Sequence, residues 1–225
     1  MKSYRQLKGA IFDLDGTLLD SMGLWSDIDE RFLSRRGLSV SAEYTQEVKR
    51  MHFDTAAEYT KRLYNLPESE EDIKAEWRAM CSEAYATRIE LKAGADRYLN
   101  ALRASGVDMY IATVLEEGIF MPALRRLGVA ELFGGYVTVK EAGRGKEHPD
   151  IYMQAAERMG LKPCECAVYE DIFMALQSAR RAGCVSVGVY DRLSDGDTLA
   201  IKSASDYYID DFRRADIADI FGARD

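Results

Sequence analysis

Two aspartates near the N-terminus are the side chains of this chain with the clearest chemical potential. Asp13 and Asp15 lie in the run from Gly9 to Thr17, where three apolar residues precede the first aspartate. The apolar residues predict a buried strand, and Gly16 predicts a tight turn at its end. Open α/β sheets bind ligands at the carboxyl ends of their strands. Two carboxylates that point into the same space are costly unless a cation lies between them or one carries a proton. We therefore expect Asp13 to be a nucleophile and metal ligand, and Asp15 an acid/base.

Further polar side chains stand at the ends of other predicted elements. Thr113 ends a second apolar run, Glu170 and Asp171 follow a third, and Lys146 precedes a predicted helix. Taken alone, each has an ordinary explanation, because acidic pairs favour helix N-termini and most lysines are solvated. Together with Asp13 they provide oxygen ligands for a hard divalent cation and a positive charge for an anionic substrate. The chain has only two histidines, which argues against a histidine-based metal site.

These motifs, in this order, resemble the signature of the haloacid dehalogenase-like phosphohydrolases, and the resemblance covers essentially the whole chain. The signature residues are Asp13, Asp15, Thr17, Thr113, Lys146, Glu170 and Asp171. The subgroup that includes β-phosphoglucomutase and small sugar-phosphate phosphatases is the most similar. That resemblance implies a helical cap inserted just after the first motif.

The resemblance also implies a role for each matching residue. Mg²⁺ would be held by Asp13, the backbone carbonyl of Asp15 and Asp171, with Glu170 binding directly or through water. The catalytic residues would be Asp13, Asp15 and Lys146. Phosphate would be bound by Thr17, Thr113, Val114 and Lys146.

Three residues depart from the family pattern. Val114 follows Thr113 where many relatives carry a small polar residue, and Ile172 and Ala175 stand near an expected serine and glycine. None of the three replaces the nucleophile, the acid/base, the lysine or the metal aspartate. We therefore expect the chain to be active.

Composition excludes several classes of function. The chain has 225 residues, of which 30 are basic and 38 acidic, for a net charge of −8, and no basic cluster indicates a nucleic-acid surface. The four cysteines lack Cys-x-x-Cys spacing, which favours reduced thiols in the cytoplasm. Neither a signal-peptide core nor an apolar run of membrane-spanning length is present. We expect a cytoplasmic monomer whose partner is a small phosphorylated metabolite.

Apolar runs alternate with amphipathic segments along most of the chain, which predicts a doubly wound, mostly parallel α/β sheet. Strands are predicted at Gly9–Asp13, Asp108–Thr113, Gly135–Val139, Glu165–Tyr169, Val185–Val189 and Tyr207–Ile209. Helices are predicted near Ala95–Ser105, Gly118–Leu127, Asp150–Met159, Met174–Ala182, Leu199–Ser203 and Asp211–Phe221.

Residues 19–90 break this alternation, because their aromatic and aliphatic side chains recur only at helical spacing. We expect them to form a helical cap, with residues 1–18 and 91–225 forming the α/β core. The predicted linkers are Leu18–Ser21 and Leu91–Ala95, with Gly94 absorbing backbone rotation.

These observations favour a magnesium-dependent phosphohydrolase of small phosphorylated metabolites, such as sugar phosphates, that works through an aspartyl-phosphate. One alternative is phosphoryl transfer like that of β-phosphoglucomutase. Such mutases carry an arginine in the cap loop at the place where this chain has Phe53, although Arg50 could substitute for that arginine. The other is a binding protein that keeps the fold without catalysis. The candidate specificity residues of the cap are Trp25, Lys49, Arg50 and His52.

Overall fold

Six parallel strands form one sheet in the order β3-β2-β1-β4-β5-β6. The computed structural model describes residues 7–48, 51, 53–192 and 198–222. The strands are β1 (Gly9–Phe12), β2 (Asp108–Thr113), β3 (Tyr136–Thr138), β4 (Cys166–Glu170), β5 (Val185–Val189) and β6 (Tyr207–Ile209). All six predicted strands are confirmed, with ends that shift by no more than one residue.

Strand β1 lies inside the sheet, between β2 and β4, and later strands are added on both sides of it. Phe12, its last residue, pairs with Ile111 of β2 on one side and with Tyr169 of β4 on the other. Every residue of β1 is buried, and the ring of Phe12 stacks on that of Tyr169 with 4.2 Å between centroids. The carboxyl ends of three neighbouring strands therefore meet at one edge, at the point where the strand order reverses.

Helices connect the strands and flank the sheet. They are α5 (Ala95–Ala104), α6 (Glu117–Arg126), α7 (Val139–Ala142), α8 (Asp150–Arg158), α9 (Phe173–Ala182), α10 (Thr198–Ala204) and α11 (Ala218–Phe221). Short 3₁₀ turns occupy Ala130–Leu132 and Pro163–Glu165. The four cysteines are free thiols. The predicted doubly wound α/β fold is confirmed.

The chain divides into two compact units, one comprising Met1–Met22 with Ile89–Asp225 and the other Gly23–Arg88. The second unit contains the helices α1 (Leu24–Ser34), α2 (Ala42–Val48), α3 (Phe53–Tyr64) and α4 (Glu70–Thr87). Phe32 and Trp77 pack edge to face in its core, with 5.6 Å between ring centroids. These helices lie within the range 19–90 expected for a cap, and the action of the unit as a cap stays a prediction.

The two predicted linkers pair with each other. Lys92 N donates to Leu18 O at 2.8 Å and Asp20 N donates to Glu90 O at 3.0 Å, around an antiparallel bridge between Leu19 and Leu91. This ribbon belongs to the first unit.

Gly94 follows the ribbon and is held in place. A Cβ at Gly94 would come within 2.7 Å of Arg213 N and 2.9 Å of Arg213 Cα. Its positive φ of 84° serves this close approach between two backbone segments, and the absorption of backbone rotation by Gly94 stays a prediction.

The predicted helix Asp211–Phe221 is wrong for its first seven residues. Only Ala218–Phe221 is helical. The carboxylate of Asp211 accepts a hydrogen bond from the backbone amide of Arg213 at 2.9 Å and ion-pairs with its guanidinium at 2.6 Å. This local side-chain bonding offers the backbone a turn in place of a helix.

A chain of three short oxygen–oxygen contacts crosses the interior of the helical unit. The hydroxyl of Tyr44 lies 2.9 Å from Asp29 Oδ1 and 3.0 Å from Thr60 Oγ1, and Thr60 donates to Ala56 O at 2.7 Å. When Asp29 is ionised, only the two hydroxyl protons of Tyr44 and Thr60 are available for these three contacts. A proton on Asp29 allows all three contacts to be hydrogen bonds. Burial raises the pKa of Asp29 from 3.8 to about 6, against the opposing hydrogen bond of Tyr44.

We expect Asp29→Asn to stabilise the protein at neutral pH, because asparagine donates to Tyr44 without having to take up a proton. The folded protein holds the Asp29 proton more tightly than the unfolded chain does. The resulting stabilisation of the wild type is complete below pH 3.8 and is lost as the pH rises through 6. The advantage of the variant should therefore grow from pH 4 to pH 7 to on the order of 2 kcal/mol.

Urea unfolding at several pH values measures this difference. Asp27→Asn, on the exposed side of the same helix, is the control and should show no growth with pH. A constant difference between Asp29→Asn and the wild type across this range would contradict the expectation.

Candidate active site

A tight turn after β1 places Asp13 at the edge of the sheet. The backbone amide of Asp13 donates to Tyr169 O at 3.1 Å, which extends the pairing of β1 with β4 by one residue. The carbonyl of Leu14 accepts hydrogen bonds of 2.8–3.2 Å from three successive amides, those of Thr17, Leu18 and Leu19. The turn therefore satisfies its own backbone and holds Asp13, a residue that is 4% exposed, in a fixed place.

Gly16 is required in this turn for two reasons. Its φ is +74°, which side chains rarely adopt, and a Cβ at this position would clash with Asp171 Oδ2. The loop after β1 thus approaches the loop after β4 as closely as a residue without a side chain allows.

Three carboxylates converge at this edge. One carboxylate oxygen from each of Asp13, Glu170 and Asp171 lies within 4.8 Å of the others, and all three residues are buried. The hydroxyl of Thr17, also buried, lies 3.2 Å from Asp171 Oδ1 and 3.5 Å from Asp13 Oδ2. The sequence motifs from the ends of β1 and β4 are therefore brought together.

Lys146 supplies the positive charge of the cluster. Its Nζ forms a short ion pair with Asp13 Oδ1 and donates to Glu170 Oε1 at 2.6 Å. Burial alone would lower the pKa of Lys146, but the charges of Asp13 and Glu170 outweigh it and raise that pKa above its usual value. Lys146 is therefore a permanent cation at neutral pH.

The donor set fits a divalent cation. When ionised, three carboxylates beside one ammonium leave two negative charges unbalanced in a buried position. Burial and the charge of Asp13 raise the pKa of Glu170 to about 8, because together they outweigh the opposing effect of Lys146. Glu170 Oε2 is buried without a hydrogen-bond partner among the described residues. A hard cation would bind such an all-oxygen set and balance its charge.

Asp15 has partners different from those of Asp13. Its carboxylate accepts a hydrogen bond from the hydroxyl of Ser21 at 2.6 Å, and its residue is only partly buried. The carboxylate of Asp15 is not part of the buried acidic cluster. A contribution of the Asp15 backbone carbonyl to a metal site stays a prediction.

The end of β2 carries the predicted phosphate-binding residues. The side chain of Thr113 is fully buried and its Oγ accepts a hydrogen bond from Leu115 N at 3.1 Å. Val114 is 60% exposed at the same edge. Of the departures from the family pattern, Ile172 is exposed and Ala175 is buried in α9. The phosphate contacts of Thr17, Thr113 and Val114 stay predictions.

The candidate specificity residues belong to the helical unit. Trp25 is 45% exposed in α1. Lys49, Arg50 and His52 lie outside the described residues.

Two residues with clear contacts in the site were not predicted from the sequence. Ser21 donates to Asp15, and the hydroxyl of Tyr152 donates to Glu170 Oε1 at 2.8 Å. Ser21 follows Asp20 in the predicted linker, where a polar residue such as serine is common. Tyr152 is the third residue of α8, at a position that helical spacing assigns to the core. The one available sequence signal is the tyrosine hydroxyl, which stands on an otherwise apolar face of the helix shortly after Lys146.

Comparisons with known proteins agree with these motifs. A family model described as haloacid dehalogenase-like hydrolase matches residues 7–183. "Probable pseudouridine-5′-phosphatase" of Drosophila melanogaster is 32% identical over 206 residues, with 88% of each chain covered. Hexitol phosphatase A of Escherichia coli (strain K12) is 34% identical over 186 residues, covering 81% of this chain and 82% of that protein.

A solved structure shares the whole fold. The HAD family hydrolase from Deinococcus radiodurans R1, crystallised with bound phosphate and sodium, superimposes with a TM-score of 0.74. It is 26% identical, and 96% of each chain is covered. Within the described ranges, no helix combines the length and the apolar character needed to cross a membrane.

We expect Gly16→Ala to weaken divalent-cation binding by at least about tenfold, because the added Cβ displaces the carboxylate of Asp171. Calorimetric titration with MgCl₂ measures the affinity. Gly106→Ala is the matched control, since Gly106 has a similar φ of +69° and a Cβ there would meet nothing within 4 Å. Equal affinities in the two variants would exclude the steric explanation.

Proposed function

Because the chain belongs to the haloacid dehalogenase-like hydrolase family, we propose that it is a magnesium-dependent phosphatase of small phosphorylated metabolites, with sugar phosphates as the preferred class. Two relatives more than 30% identical over most of their length are named as phosphatases of such compounds. The observation that carries the proposal is the ion pair of Lys146 with Asp13 inside a buried cluster of three carboxylates.

Asp13 is the nucleophile. Its carboxylate attacks phosphorus, the bond from phosphorus to the leaving oxygen breaks, and an aspartyl-phosphate forms. The adjacent ammonium of Lys146 holds the carboxylate in place and offsets the charge of the transferring phosphoryl group. Hydrolysis of the acyl phosphate then releases inorganic phosphate and restores Asp13.

Asp15 moves the protons of both half-reactions. Its carboxyl group donates a proton to the leaving alkoxide, and the resulting carboxylate accepts one from the water that attacks the aspartyl-phosphate. The hydrogen bond from Ser21 orients the Asp15 carboxylate for this exchange. Because Asp15 is only partly buried, its carboxyl group can contact both the leaving group and the attacking water.

Asp13, Asp171, Glu170 and the backbone carbonyl of Asp15 would hold the magnesium ion. Its contribution when bound is to neutralise phosphate oxygens and to hold the phosphoryl group in line with the attacking carboxylate. The hydroxyl of Thr113 and the amide of Val114 would bind the remaining phosphate oxygens, together with Thr17 and Lys146.

One assay separates this function from its alternatives. The protein is incubated with a panel of hexitol phosphates, hexose phosphates, pseudouridine 5′-phosphate and phosphoglycolate, with and without Mg²⁺. Release of inorganic phosphate only with Mg²⁺ supports the phosphatase. Isomerisation of a hexose phosphate without phosphate release supports a mutase, and binding without turnover supports a non-catalytic protein.

We expect Asp13→Asn to lower turnover by about three orders of magnitude or more, since asparagine cannot form the acyl phosphate. Phosphate release on the best substrate of the panel is the measurement. Asp20→Asn, at an exposed aspartate of the same loop, serves as the control and should retain the wild-type rate. An Asp13→Asn variant that keeps more than about a tenth of the wild-type rate would refute the assignment.

A second set of variants tests the division of labour between the units. Lys146→Ala should depress turnover on every substrate, because it serves the phosphoryl group that all substrates share. Substitutions at Lys49, Arg50 or His52 should instead change the ratio of kcat/KM values between substrates. If Lys146→Ala shifts this preference while the three cap variants leave it unchanged, the proposed division is wrong.

A further inference from the structure

The hydroxyl of Tyr152 reaches into the acidic cluster from the hydrophobic core. Tyr152 lies in the first turn of α8, is fully buried, and its ring packs in a core cluster with Ile11 and Val168. Its hydroxyl donates to Glu170 Oε1 at 2.8 Å. A buried ring of this kind has few alternative rotamers, so the position of the hydroxyl is set by core packing.

The two oxygens of Glu170 have different surroundings. Oε1 accepts hydrogen bonds from both Lys146 Nζ, at 2.6 Å, and Tyr152, at 2.8 Å. Oε2 is buried and has no hydrogen-bond partner in the described part of the chain. Two donors on one oxygen determine the rotation of the carboxylate and leave Oε2 as the oxygen without a hydrogen-bond partner among the described residues. The Glu170 carboxylate belongs to the buried cluster with Asp13 and Asp171.

The Tyr152 hydroxyl is the donor in its contact with Glu170, since its oxygen lies 2.8 Å from Oε1 and a carboxylate oxygen accepts hydrogen bonds.

We propose that Tyr152 is a positioning residue that orients the carboxylate of Glu170 so that Oε2 remains available to a divalent cation. The inference rests on the proposed function, since it assumes the metal site of the phosphatase. Tyr152 itself touches neither the cation nor the substrate. Residues that hold metal ligands in place commonly contribute tenfold to a hundredfold in affinity.

Removing the hydroxyl leaves Lys146 as the one donor to Glu170 that the structure shows. The carboxylate could then rotate and turn Oε2, alone or together with Oε1, toward the ammonium of Lys146. Oε2 would then no longer be available to a cation. Phenylalanine keeps the ring and its packing against the core, so the fold should be retained.

Calorimetric titration of the full-length protein with MgCl₂, in the absence of substrate, tests the inference. Tyr152→Phe should raise the Kd for Mg²⁺ by about tenfold. The Mg²⁺ concentration needed for half-maximal phosphate release should rise by the same factor, while kcat at saturating Mg²⁺ should change little.

Tyr98→Phe is the matched control. It also removes a buried hydroxyl hydrogen bond, the one to Tyr169 OH at 2.9 Å, and Tyr98 makes no contact with the three carboxylates that the structure shows. The two variants should melt at similar temperatures without metal, and Tyr98→Phe should bind Mg²⁺ as the wild type does.

The outcomes separate this inference from the proposed function. A Kd for Tyr152→Phe within twofold of the wild-type value overturns the positioning role and leaves the phosphatase standing. A wild-type protein that binds Mg²⁺ but hydrolyses no substrate overturns the phosphatase, and the comparison of Kd values still decides the role of Tyr152. A wild-type protein that binds no Mg²⁺ overturns the inference.

Discussion

Compensation of buried charge is the constraint on which the rest of this structure depends. Asp13, Glu170 and Asp171 approach one another away from water, with Lys146 between two of them. Removing one partner of a buried ion pair typically costs 3–5 kcal/mol, because the other charge remains buried and uncompensated. The positions of these four side chains must therefore be held closely, although Asp13 precedes Lys146 by 133 residues along the chain. A site under this constraint requires a rigid frame.

The parallel sheet provides that frame, and it also dictates where the polar groups stand. Strands β1 and β4 are buried along their whole length, so their interiors accept only apolar or small side chains. The first place where β1 can carry a carboxylate is the residue after Phe12, and β4 carries one at its last residue, Glu170. Because both strands run in the same direction and neighbour each other, these two positions lie side by side at the edge of the sheet. Chemistry at the carboxyl edge is a consequence of an apolar sheet interior.

The sequence predicts this frame well wherever the signal is local. An apolar run followed by Gly16 predicts both β1 and its turn, and the motif residues fall where strand ends should place them. Contacts between distant segments leave no such signal. Nothing near Gly94 shows that the backbone of Arg213 packs against it, and nothing distinguishes Tyr152 from an ordinary core aromatic until Glu170 is seen beside it. At the C-terminus, helical periodicity was misleading because Asp211 bonds its own neighbours instead.

The paired linkers have a consequence for how such a chain can change over evolutionary time. Asp20 and Glu90 are joined by a hydrogen bond, so the backbone leaves and re-enters the α/β unit at adjacent points. Whatever lies between these residues closes a loop whose ends are already fixed, and the entropy of closing a loop grows only slowly with its length. Helical segments of other lengths and sequences can therefore be exchanged at this position without disturbing the sheet. The ribbon therefore allows the helical unit to change in length and sequence over evolutionary time while the edge of the sheet that carries Asp13 stays the same.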